Sequence, residues 1–144
     1  MRVGPKNLIN PGYLDFKGSF LLNRGNIGNF VNCYSNYIGK FVFHKGLNKL
    51  AMAEDLLHRH IARSIIGAIE VSKENMIGGY ITYKKDKNEI LFELDGDSGY
   101  FGRPSEEDLQ IAAEFVGELL KSIGYLPKIE KDTGSFFKIK GEFA

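Results

Sequence analysis

"KLAMAEDLLHRHIARSIIGAIEVS" occupies residues 49–72, and the fold turns on how it is read. Leu50, Leu57, Ile61, Ile65 and Ala68 recur at helical spacing, with Asp55, Arg59, Arg63 and Glu70 on the opposite side. Asn48 stands where an N-cap would, and Asp55 and Arg59 form an i,i+4 pair of opposite charge. The spacing predicts one long helix over 49–72, with Leu56 and Ile66 breaking its polar face.

Upstream, "GSFLLN" (18–23), "FVNCYS" (30–35) and "KFVFH" (40–44) are separated by turn-forming residues and read as three short strands in a meander. Downstream, "IGGYITYK" (77–84) and "EILFELD" (89–95) flank the polar turn "KDKN" and predict a hairpin. Gly78 and Gly79 inside a strand point to a bulge or a close backbone approach. A second helix is predicted over 105–123. Ser105 is its N-cap, acids fill its first turn, Leu109, Ala112, Val116, Leu119, Leu120 and Ile123 form its stripe, and Gly124 suits its C-cap. "KIEK" (128–131) and "SFFKIKGEF" (135–143) predict a final hairpin.

From Lys40 onward this reads β-α-β-β-α-β, the ferredoxin-like order. The expected fold is α+β, with two extra N-terminal strands and a C-terminal hairpin. Both helices would lie mainly on one face of an antiparallel or mixed sheet. The 144 residues are expected to form a single domain.

Composition narrows the function classes. No apolar run approaches the ~20 residues of a membrane span, and "MRVGPKNLINPG" does not read as a secretory signal. Cys33 is the one cysteine, so a reducing, cytoplasmic setting is expected, with Cys33 buried beside Val31. Residues 1–64 carry nine Lys/Arg against three acids, a net +6. Residues 65–144 carry ten against fifteen, a net −5. That polarity, with the broken face of the first helix, predicts a homo-oligomer. Aromatic and basic residues interleave in "YSNYIGKFVFHKG" (34–46), but "GKFVF" matches only a fragment of an RNA-recognition motif, so nucleic acid is disfavoured and Phe41 and Phe43 are expected in the core.

The chemistry-bearing residues gather in two places. In "ELDGDSGYFGRPSEED" (93–108), Asp95 and Asp97 are spaced to hold a divalent cation, and Ser98 and Arg103 could meet a phosphate bridged to it. An EF-hand fits poorly, since Tyr100 stands where its glycine belongs. Helix two already fills its own N-terminus with acids, which would repel an anion there. The plain alternative is a connection closed by a cap. His44, His58 and His60 are the second group. On a helix His58 and His60 would lie about 160° apart and could not share one metal. His58 follows Glu54 and Asp55 closely enough for an acid to orient it, and His44 and His58 are the candidate catalytic histidines.

"GGYITYKKDKNEILFELDGDSGYFG" (78–102) resembles the corresponding hairpin and loop of the janus/phosphohistidine phosphatase family: a glycine pair, two strands, then a serine and an aromatic-glycine pair. The resemblance covers 25 of 144 residues. It implies loop roles for Ser98, Tyr100 and Gly102 and a catalytic histidine that precedes or opens the first helix, where His44 is the match offered. The predicted first helix is longer than the family's, and the family's downstream histidine is absent.

The leading expectation is a small, non-catalytic ligand-binding or regulatory domain for a nucleotide or other phosphorylated small molecule. The alternatives are a phosphoryl-group hydrolase, using Asp95 and Asp97 with a metal or His44 as nucleophile or base, and a single-stranded nucleic-acid binder. No particular cofactor is indicated.

Overall fold

The computed structural model describes residues 18–68, 71–72, 74–132 and 136–143. In chain order these form β1 (Phe20–Leu22), α1 (Ile27–Cys33), β2 (Asn36–His44), β3 (Lys49–Ala53) and α2 (His58–His60). A π-helical turn (Ile61–Ile66) continues α2. Then come β4 (Met76–Asp86), β5 (Glu89–Asp95), α3 (Glu106–Lys121), β6 (Tyr125–Lys131) and β7 (Phe136–Phe143). The seven strands make one sheet in the order β1-β3-β2-β4-β5-β7-β6, and every neighbouring pair is antiparallel.

The stretch 49–72 is therefore not one helix. Its first five residues are β3, set between β1 and β2 with Leu50 opposite Phe43 and Met52 opposite Phe41. Leu50 and Met52 face one side of the sheet and Ala51 and Ala53 the other, and all four are buried. A strand covered on both faces shows a continuous apolar run, which a helical template also fits. Asn48 is no cap. It has φ 53°, a left-handed conformation that asparagine tolerates, in the turn between β2 and β3. The helix begins only at His58. Residues 69–70 of the expected helix lie outside the described residues.

"FVNCYS" (30–35) is corrected in the opposite sense. Ile27, Phe30 and Val31 bury one face of α1 at i, i+3 and i+4. Phe30 sits among the rings of Phe20, Tyr34, Tyr37, Tyr83 and Phe92. Two adjacent buried residues suit a helix face and not a half-buried strand. Cys33, expected inside, is exposed at the end of α1.

The ferredoxin-like arrangement is overturned by this topology. One sheet face carries Phe41, Phe43, Leu50, Met52, Ile81, Tyr83, Phe92 and Ile139, covered by α1 and α3. The other carries Val42, Ala51, Ala53 and Met76, covered by Ile61, Ala62, Ile65 and Ile66 of the π turn. Helices thus lie on both faces. Leu56 and Ile66, read as breaks in an exposed face, belong to this second cluster.

Helix α3 forms where its local signals lie. The Ser105 hydroxyl accepts the N–H of Asp108 at 3.1 Å, and Gly124 takes φ 95° just beyond the C-terminus. Lys45 and Asp108 pair at 2.9 Å and tie the β2–β3 turn to α3. Among the described residues no helix is long and apolar enough to cross a membrane.

Candidate functional site

His58 owes its position to two glycines. A Cβ on Gly78 would stand 2.8 Å from Cδ2 of Phe101 and 3.0 Å from Cδ2 of His58. A Cβ on Gly79 would stand 1.8 Å from the Asp95 carbonyl oxygen. Gly78 thus leaves room for both rings on β4, and Gly79 lets the β5 backbone close in at Asp95. The His58 ring packs edge-on to Tyr80 at 5.9 Å and to Phe101 at 6.4 Å. It is 6 % exposed.

That packing leaves His58 one polar anchor. Nε2 lies 2.8 Å from the Gly79 carbonyl oxygen. A carbonyl only accepts, so Nε2 carries the proton and Nδ1 keeps its lone pair. Among the described residues nothing bonds to Nδ1. Burial holds the pKa of His58 below its ordinary value of 6.5; the Gly79 hydrogen bond pulls it up, and the charge of Lys40 pushes it further down. The neutral ring is the form the fold favours.

A groove of about 300 Å³ opens over this ring, lined by Lys40, Leu57, His58, Arg59, Tyr80, Gly99 and Tyr100. Among the described residues that line it the charged ones are Lys40 and Arg59, both cations, so the groove favours an anion. One wall is the turn 98–102, fastened by the Gly102 N–H to the Ser98 carbonyl at 2.9 Å and the Phe101 N–H to Ser98 Oγ at 3.1 Å. Ser98 is buried and Phe101 plugs the second core cluster, so the turn is part of the packed body. A Cβ on Gly99 would meet nothing within 4 Å, which makes that residue the open lip. A somewhat larger groove, about 370 Å³, lies across the ends of β4, β5 and β7, but the described residues that line it include no histidine, hydroxyl or thiol.

The structure brings His58 and the Ser98 turn together. His44 ends β2 and accepts the Leu47 N–H on Nδ1 at 3.0 Å, closing a turn outside this groove. His60 is exposed on α2. Asp95 accepts the backbone N–H of Asp97 at 3.1 Å, and among the described residues no group of three or more His, Cys, Asp or Glu is placed to hold a metal. Arg103 is exposed and does not line the groove. Lys40, Arg59 and Tyr80 are not among the candidate site residues of the sequence, and Tyr100 enters there only as a loop position in the family resemblance. The glycine pair 78–79 signals a close approach next to Tyr80, and that approach is to His58, Phe101 and Asp95.

Compared with protein-family models, with curated proteins and with solved structures, the chain matches none of them.

Proposed function

We propose that this chain is a phosphoryl-group hydrolase in which His58 is the general base. The observation that carries the reading is the Nε2–Gly79 hydrogen bond, which leaves Nδ1 of a neutral ring without a partner among the described residues, on a histidine that lines a groove whose described charged residues are Lys40 and Arg59. Phosphate is the anion best matched to that pair, since Arg offers it a bidentate fork and Lys a point charge. The resemblance of 78–102 to the janus/phosphohistidine phosphatase family supports the same chemistry.

The reaction follows from the protonation state. A water oxygen bonds to phosphorus while the bond to the leaving group breaks, and His58 Nδ1 takes the water's proton. The leaving atom departs with the bonding electrons and takes up a proton from solvent, and His58 returns its own proton to solvent once phosphate leaves. The Gly79 carbonyl accepts from Nε2–H throughout, so it steadies the imidazolium that forms, as an acid partner does in a catalytic triad. Lys40 and Arg59 offset the charge on the phosphoryl oxygens.

Phosphate release from acetyl phosphate, 4-nitrophenyl phosphate and phosphoramidate tests the reading. His58→Gln should lower turnover about 100- to 10,000-fold, the usual worth of a general base. His44→Gln should leave it unchanged. Turnover that survives His58→Gln, or is lost with His44→Gln, overturns the assignment. Tight binding of phosphate analogues without any turnover would make the groove a binding site only.

A further inference from the structure

Eight large apolar side chains are exposed among the described residues, and three of them, Leu57 (53 %), Tyr80 (46 %) and Tyr100 (42 %), rim this one groove. Such side chains scattered singly need no explanation; three that line one groove with Lys40 and Arg59 do. Bare phosphate is strongly hydrated and gains nothing from apolar walls. The rim therefore fits the part of the substrate that carries the phosphate.

We infer that the groove takes a phosphoryl group borne on a planar ring, and that Tyr80 and Tyr100 are the specificity-determining residues that grip the ring. The inference rests on the phosphoryl reading of Lys40 and Arg59. Tyr80 is fixed on a central strand, opposite Lys40 on β2 and Asp95 on β5. Tyr100 is fixed by the fastened turn 98–102 and stands edge-on to Phe101 at 5.0 Å. Each tyrosine is thus held in place by the fold while its outer part remains open. Rings held this way bind another ring with little ordering cost, by stacking or by an edge-to-face contact. Gly99, between the catalytic histidine's groove and solvent, leaves room for the ring to enter.

Phosphonates test this without turnover, because their carbon–phosphorus bond is not hydrolysed. Affinities for phenylphosphonate and methylphosphonate are measured by calorimetry on the wild type, Tyr80→Leu, Tyr100→Leu and Tyr80→Phe. The wild type should prefer the phenyl ligand. Each leucine variant should narrow that preference roughly two- to twelvefold, the worth of one aromatic pair, with methylphosphonate affinity unchanged. Tyr80→Phe keeps a ring and should keep the preference. Equal wild-type affinity for the two ligands, or equal loss of both in the leucine variants, overturns the inference. A protein that shows the phenyl preference but hydrolyses nothing would refute the reaction and leave this inference standing. One that binds neither phosphonate would refute both.

Discussion

Gly79 on β4 and Asp95 at the end of β5 approach so closely that a Cβ on Gly79 would lie 1.8 Å from the Asp95 carbonyl oxygen. Backbone on both sides leaves nothing flexible to yield. Gly79→Ala should cost about 3 kcal/mol or more, the upper end of overpacking effects. It should also detach His58, whose Nε2 bonds to the Gly79 carbonyl. Urea unfolding checks the first effect. A variant as stable as the wild type would show that the two strands are not in this register.

Gly99 is the contrasting case. Its added Cβ meets open space and its φ is not left-handed. Gly99→Leu should therefore fold with a stability within about 0.5 kcal/mol of the wild type, as surface changes do. The leucine would fill the groove lip, so phosphonate affinity should fall at least severalfold. Unchanged affinity would place the ligand elsewhere.

Stability should depend on pH through His58. Its folded pKa lies below the ordinary 6.5, so below that pH the unfolded chain binds the proton more readily than the folded one. The contribution of the neutral ring is complete above pH 6.5 and is lost as pH falls through the lower folded value. Urea midpoints from about pH 8 to about pH 5 should fall more steeply for the wild type than for His58→Gln, which has no proton to gain. Parallel curves would mean that the ring is not buried in its neutral form.

Tyr83 holds the end of α1 against the sheet. Its buried hydroxyl donates to the Tyr34 carbonyl at 2.9 Å and lies 3.3 Å from that of Val31, and Lys85 Nζ also reaches the Val31 carbonyl at 2.9 Å. Burial pushes the Tyr83 pKa well up, which keeps the donor protonated. Tyr83→Phe keeps the ring and removes the hydrogen bond to the Tyr34 carbonyl, at a cost of about 1 kcal/mol. Hydrogen exchange should show the loss concentrated in residues 27–34. A neutral result would assign the anchoring to the ring stack of Phe30, Tyr83 and Phe92 alone.

Ser105→Ala removes the side-chain acceptor of the Asp108 N–H and should cost about 1 kcal/mol. Ser105→Asp, which can still accept that bond, should recover most of it. Loss of stability in both variants alike would point to a role for the hydroxyl other than capping.

Helix α3 and the hairpins β4–β5 and β6–β7 were legible in the sequence because their signals are local. A capping serine, an acidic first turn, a C-terminal glycine and alternation along one half-covered strand all act within a few residues of what they specify. The register of Gly78 and Gly79 was legible as a close approach, though not what approaches. Residues 49–53 and 27–33 were decided by tertiary structure. The run "LAMA" is apolar on both sides because β3 lies between two other strands and under helices on both faces, and no window of sequence contains those neighbours. Once 49–53 joins the sheet, the helix must begin later, and His58 becomes its first residue instead of a point along a longer helix. The groove was out of reach for the same reason. Lys40, His58, Tyr80 and Tyr100 are far apart in the chain, and only the pairing of β2 with β4 and the fastening of the 98–102 turn bring them to one place.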